Sequence, residues 1–331
     1  MKKILQALFC FLILSLSACS AASNQESLFI ATPEIHIQID SKSNKPVIAL
    51  VPKVTANPIF AALEQGARQA ETDFDIKLVV RTPAQDTSVD QQIQIVEDLI
   101  LEEVDAIVIT PIDSKELIPV LKKAQEAGIV VVVAVTRLDA SWMAELGMDP
   151  VPTITTDDEL AAYLSAGYLV KDISQPAKAA IIEGNIGAAN TSARTIGAKR
   201  AFSENPNITL VSTIPANWRI DDAYTAMQTV LRAYPSVSLV FVESDFMALG
   251  VLEYLKDVHR TDVKLTGING IPQALEALDA KNFLATVDTK SFEQGYLAVE
   301  YAVKKLRGED VPLETLMDLD LVTAADVGEK P

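Results

Sequence analysis

From Pro46 onward the chain carries short, unbroken runs of mostly β-branched residues, each followed by a stretch of helical periodicity. VIALVP precedes a helix from about Pro58 to Thr72, and IKLVV precedes VDQQIQIVEDLILEE. DAIVIT leads into DSKELIPVLKKAQEAG, and IVVVVAV follows. Runs that are apolar at every position, rather than at every second one, suit parallel strands covered on both faces. In the second helix Ile93, Val96, Leu99 and Ile100 fall on one face, and Gly128 is placed to stop the third. The rhythm lapses from Arg137 to Pro152 and then resumes through ELAAYLSAGYLV, KAAIIEG, SARTIGAKRAF, ITLVSTI, DDAYTAMQTVLRAY, SLVFVE, DFMALGVLEYLKDV, KLTGI, FLATVD and SFEQGYLAVEYAVKKLRG. Two βα series separated by an irregular crossing imply two similar α/β lobes rather than one long sheet.

The 331 residues are enough for two such lobes. The balance is acidic, 45 Asp and Glu against 28 Lys and Arg, which argues against a nucleic-acid partner. Two histidines and two cysteines leave little material for histidine catalysis or a Cys/His metal site. No metal and no cofactor is expected.

The N-terminus reads MKK, then the apolar run ILQALFCFLILSLSA, then LSACS. The run is short for a membrane span and has the layout of a signal segment. Small residues ahead of Cys19 resemble a bacterial lipobox, in which the cysteine is acylated and becomes the mature first residue. The alternative is a secretory signal in which Cys19 is incidental. The expected organisation is a signal peptide over 1–18 and a polar tether over 19–45. Cys10 would leave with the signal, so no disulfide is expected.

Ligands of such sheets bind beyond the carboxyl ends of the strands. The loops singled out are those after VIALVP, AIVIT, VVVAV, AAIIEG, LVFVE and KLTGI. Asn57-Pro58 marks a turn with Pro58 suited to a first helical position. Asp113 reads equally as a cap of the next helix and as a ligand acceptor. Arg137 is either a solvated charge or a ligand group, and Trp218, just past a strand, either core or a binding face. Asp245 reads as a helix cap, and Asp157-Asp158 and Asp221-Asp222 as helix starts. EGNIGAANTSAR raises the question of a phosphate loop, but neither Gly184 nor Gly187 is followed by the lysine of G-x-x-x-x-G-K-[ST]. No nucleophile with an activating base accompanies these groups, so an enzyme is not expected.

NPIFAALEQGARQA, DQQIQIVEDLILEEVDAIVITPIDSKELIPVLKKAQEAGIVVV, NTSARTIGAKRAF, PANWRIDDAYTAMQTVL, FVESDFMALGVLEYL and EQGYLAVEYAVKKLRGEDVP together resemble the ribose-type sugar-binding proteins of ABC importers. The resemblance runs from about Pro46 to Val327. It implies two Rossmann-like lobes with parallel sheets, joined by a three-segment hinge. The N-terminal lobe would be 46–155 plus 290–316, and the C-terminal lobe 156–289 plus 317–331. It also implies a ligand-binding set of Lys53, Asn57, Phe60, Asp113, Arg137, Arg194, Trp218, Ser244, Asn269 and Thr289. At several of these positions the chain departs from the family pattern. Ile59 replaces an aromatic, Thr136 and Asn269 stand where aspartate is usual, Ser244 where asparagine is usual, and Thr289 where glutamine is usual.

A guanidinium fork donates aligned hydrogen bonds to neighbouring hydroxyls. Aromatic faces such as Phe60 and Trp218 suit the C–H face of a sugar ring. The leading expectation is a monomeric, Cys19-anchored solute-binding protein of the cell envelope that captures a sugar or polyol for an ABC permease. The alternative is a sensor subunit that reports to a receptor or histidine kinase. A repressor with the same core is opposed by the signal segment and by the lack of a basic helix-turn-helix start.

Overall fold

A computed structural model describes residues 45–279 and 281–327. The signal segment, Cys19 and nearly all of the tether lie outside the described residues.

The elements run β1 (Val47–Val51), α1 (Pro58–Phe74), β2 (Lys77–Val80), α2 (Val89–Leu101), β3 (Ala106–Ile109), α3 (Ile118–Glu126), β4 (Val130–Ala134), α4 (Ala140–Leu146), β5 (Thr153–Thr155), α5 (Asp158–Val170) and β6 (Ala177–Glu183). They continue α6 (Ala189–Glu204), β7 (Ile208–Pro215), α7 (Ile220–Ala233), β8 (Val237–Val242), α8 (Asp245–Asp257), β9 (Lys264–Thr266), α9 (Pro272–Ala277), β10 (Phe283–Asp288), α10 (Ser291–Leu306), β11 (Glu314–Leu316) and β12 (Asp320–Thr323).

One six-stranded sheet has the order β11-β5-β4-β3-β1-β2, and the other β12-β10-β9-β8-β6-β7. Every pairing is parallel except β10 with β12. β1, β3 and β4 are almost wholly buried, as unbroken apolar runs require when helices cover both faces. α10 packs on α1 and against β3, β4 and β5, so it belongs to the first lobe although it follows the last parallel strand of the second. The chain therefore crosses between lobes three times: after β5, after β10, and between β11 and β12. The two-lobed, three-hinged architecture expected from the sequence is the one present.

Differences from the sequence expectation are local. α3 starts at Ile118 rather than near Asp113. Residues 114–117 form a turn, and Pro119 sits in the first helical turn, where its missing N–H costs nothing. The lapse from Arg137 to Pro152 contains α4, capped by Asp139 through the Trp142 N–H and closed by Gly147 in the left-handed region. On α2 the buried face includes Gln92, a polar residue. Its amide donates to the Thr110 carbonyl at 2.9 Å and accepts from the Ile112 N–H at 2.9 Å. That pair of bonds fixes the chain as it leaves β3 toward the other lobe.

Candidate functional site

The carboxyl ends of β1, β2 and β4 face those of β6, β7, β8 and β9 across the gap between the lobes. Between them lies a small cavity that both lobes line. The first lobe contributes Lys53, Asn57, Ile59, Phe60, Asp86 and Val135 to its lining, and the second contributes Asn190, Arg194, Trp218, Ser244 and Asn269. All but Val135 are buried, so the lobes are closed over the cavity. They also meet directly. The Ser114 N–H donates to the Gly187 carbonyl at 3.1 Å, and the Ala189 N–H donates to Ser114 Oγ at 2.9 Å.

Each side chain is placed by the end of an element. Asn57 caps α1 by accepting from the Ile59 N–H, with Pro58 beginning the helix, and Phe60 follows in the first turn. Asn190 and Arg194 stand four residues apart on α6 and so share a face. Ser244, not Asp245, caps α8, accepting from the Met247 N–H at 3.2 Å, which leaves its hydroxyl hydrogen available. Val135, Trp218 and Asn269 carry positive φ values of 67°, 63° and 124°. A β-branched residue in that region is strained, and such strain concentrates at functional sites.

The electrostatics are those of a buried, polar chamber. Arg194 donates from Nε and pairs through Nη2 to Asp158 Oδ1, both at 2.8 Å, and Nη1 donates to the Glu243 carbonyl. Lys53 Nζ and the Arg194 guanidinium lie 5.7 Å and 5.6 Å from the Trp218 ring centre, within cation–π range. Burial pulls the Lys53 ammonium down to about 8, with Asp86 pulling it back. Burial pushes Asp86 up to about 6, opposed by Lys53 and Arg219.

Seven of the expected ligand-binding residues therefore line one cavity: Lys53, Asn57, Phe60, Arg194, Trp218, Ser244 and Asn269. Asp113, Arg137 and Thr289 do not. Asp113 Oδ1 accepts from the Lys115 and Glu116 N–H groups, at 2.7 and 2.9 Å, in the turn before α3. Arg137 is drawn to the hinge, where Nε donates to Glu314 Oε1 at 2.7 Å and Nη1 to the Thr156 carbonyl at 3.1 Å. Thr289 Oγ1 accepts from Asn269 Nδ2 at 3.4 Å, behind the lining.

The cavity also holds two groups that the sequence reading left out. Asn190 was findable as the helical neighbour of Arg194. Asp86 comes from the loop after β2, which the strand-end rule covers but the loops singled out above do not. Beneath the site lie three more acids. Asp158, taken as a helix start, is the buried partner of Arg194. Asp245, taken as a cap, accepts from Thr286 Oγ1 at 2.7 and 2.8 Å and from the Ile271 N–H at 3.1 Å, and burial raises it to about 7. Glu243 is fully buried and accepts from the Gly184 N–H at 2.8 Å. Thr195 Oγ1 lies 2.6 Å from Glu183 Oε1 and 2.8 Å from Glu243 Oε1. One hydroxyl has one hydrogen, so it satisfies both carboxyl groups only if one of them carries a proton. Burial pushes Glu243 up to about 8 and makes it the holder.

The small residues of EGNIGAAN acquire a reason here. A Cβ on Gly184 would fall 2.0 Å from the Trp218 ring, and one on Gly187 would fall 2.0 Å from Asp113 Oδ2 on the other lobe. The loop is thin where the indole and the opposite lobe need the room. Among the described residues no group of three His, Cys, Asp or Glu side chains is placed to hold a metal ion.

Residues 48–310 match the family model described as periplasmic binding protein domain. The chain is 33% identical over 318 residues to the D-ribose/D-allose-binding protein of Pseudomonas aeruginosa, covering 93% of this chain and 95% of that one. It is 30% identical over 278 residues to the ribose import binding protein of Salmonella typhimurium, covering 84% and 90%. An ABC transporter periplasmic solute-binding protein from Actinobacillus succinogenes, solved with bound D-allose, superposes with a TM-score of 0.80 at 32% identity, covering 86% of this chain and 99% of that one.

Gly187→Val should keep the lobes from meeting, because Asp113 is tied by two backbone bonds and cannot move aside freely. A cavity ligand that compacts the wild type in solution scattering should leave this variant expanded, with unfolding of the free protein little changed. Equal compaction would count against the contact. Glu243 holds its proton where the unfolded chain, near 4.5, has released it. The stability it contributes therefore falls as pH rises from about 4.5 to about 8. Glu243→Gln should gain Tm relative to wild type progressively across that window, and a pH-independent difference in calorimetry would refute the buried proton.

Proposed function

The chain belongs to the periplasmic binding protein family, and from that premise we propose that it is the lipid-anchored sugar-binding subunit of an ABC importer. The observation that carries this reading is the closed interlobe cavity, in which a guanidinium, an ammonium and three carboxamides surround the flat faces of Phe60 and Trp218. Hydroxyls of a sugar ring take the polar groups, and its C–H face lies against an aromatic. Function is binding and not catalysis, and closure of the hinge is the whole mechanical event.

Lys53, Asn57, Phe60, Arg194, Trp218, Ser244 and Asn269 form the proposed contact set. Arg194 is the strongest donor in it. Three of its five N–H groups are engaged by Asp158 and the Glu243 carbonyl, which aims the guanidinium and leaves one N–H on each terminal nitrogen for a ligand. Arg137 and Asp113 act at one remove, in the hinge and in the interlobe contact. The closed protein then presents both lobes together to a membrane permease. No helix among the described residues is long and apolar enough to cross a membrane. Attachment is proposed through acylated Cys19, with residues 20–45 as the tether.

Removing Arg194 is a poor first test, because it strands Asp158 in the interior, and breaking a buried ion pair costs about 3–5 kcal/mol. The direct test is thermal unfolding of protein lacking residues 1–19 against D-ribose, D-allose, D-arabinose, D-tagatose, xylitol and myo-inositol. A ligand at a hundred times its Kd adds about 2.7 kcal/mol and raises Tm by several degrees. No rise with any of them would sink the sugar reading. In the full chain Cys19→Ser should move the protein from the membrane pellet to the soluble fraction, and continued sedimentation would exclude the lipid anchor.

A further inference from the structure

Of the residues that line the cavity, Asp86 is the one carboxylate, and the resemblance to known relatives did not single it out. It stands in the loop between β2 and α2, 5% exposed, and among the described residues its Oδ1 has no hydrogen-bond partner. Lys53, 3% exposed, lines the same cavity. Arg194 already has Asp158. A buried carboxylate oxygen left unsatisfied by the protein is costly, and it persists where a ligand completes it.

We propose that Asp86 reads the ligand's hydroxyls: it accepts hydrogen bonds from a neutral polyhydroxylated ring held in the cavity beside Lys53, and it excludes sugar acids. The inference rests on the sugar reading and adds its charge class. The formal charges of Lys53, Arg194, Asp86 and Asp158 sum to zero. A carboxylated sugar would place an uncompensated anion beside Asp86 in a cavity with little water to screen it, and an amino sugar would add a cation beside Lys53 and Arg194. A neutral hydroxyl has what the pair requires, a hydrogen for Asp86 and lone pairs for Lys53.

The charged groups that act on Asp86 are Lys53, from the loop after β1, and Arg219, at the start of α7; Arg194, Asp158 and Asp113 act on Lys53 in turn. Asp86 becomes protonated below about pH 6 and then loses half of its acceptor character.

The test is calorimetric titration of wild type and Asp86→Asn with the six neutral compounds above and with D-gluconate and D-galacturonate. The wild type is expected to bind one or more neutral compounds and to discriminate against both acids. Asp86→Asn is expected to weaken the best neutral ligand by tenfold or more. Its unliganded Tm should stay equal or rise, because an unpaired buried charge has been removed; a structural role would lower it. Binding by the wild type should weaken from pH 7 to pH 5, and that dependence should vanish in Asp86→Asn. A variant that binds the neutral sugar as wild type does overturns the role of Asp86 and leaves sugar binding standing. A sugar acid held more tightly than every neutral compound overturns the charge class. Wild type that binds none of the eight overturns the sugar reading and this inference with it.

Discussion

The pairing of Arg194 with Asp158 ties the ligand cavity to the hinge. Asp158 is the first residue of α5, directly after the first crossing between lobes, and it holds two atoms of the Arg194 guanidinium through one oxygen. Its other oxygen lies 3.8 Å from Arg137, which in turn grips Glu314 on β11, the strand next to the third crossing. The main cation of the cavity and the segments that bend when the lobes move thus share one chain of charges. Its buried link, Arg194 with Asp158, does not tolerate loss of one member, whereas Arg137 and Glu314 at the hinge end are partly exposed. Small changes in hinge angle must move the guanidinium, and a ligand that fixes the guanidinium must favour one hinge angle.

The second constraint is thickness. The loop from β6 to α6 runs under the Trp218 indole at Gly184 and against the opposite lobe at Gly187. Asn217 and Trp218 both adopt positive φ to bring the indole over that loop. A left-handed tryptophan is strained, and the strain persists because burial of a large ring, together with the two cations beside it, outweighs about 1–3 kcal/mol of backbone cost.

The fold was legible because its signal is long-range and redundant: unbroken apolar runs alternate with periodic helices along nearly the whole chain. The elements missed, α4, β5, α9, β11 and β12, are three to seven residues long, too short for a period to show. The site was legible where chemistry and chain position coincide, as at Asn57 before Pro58 or Trp218 after a strand. It was not legible where a partner distant in sequence decides a residue's role. Arg137 is claimed by Glu314, 177 residues away, and Asp158 by Arg194, 36 residues away. Gly187 is constrained by Asp113 across the cleft. Asp86 was missed for a different reason. Nothing in RTPAQDTS marks it, and only the strand order, which puts β2 beside β1, brings that loop to the cavity.

The closed cavity carries a cost of its own. In this arrangement of the lobes Asp86 Oδ1, Asn190 Oδ1 and Trp218 Nε1 are buried without protein partners among the described residues. Each such atom loses its water and costs about 1–3 kcal/mol unless something replaces it. The direct contacts between lobes, chiefly Ser114 with Gly187 and Ala189, are few neutral hydrogen bonds, worth about 0.5–1.5 kcal/mol apiece. A ligand able to donate to Asp86 and Asn190 and accept from Trp218 and Lys53 removes that cost. Selectivity in this protein is in that sense a property of closing, set by which buried atoms the chain itself leaves unpaired.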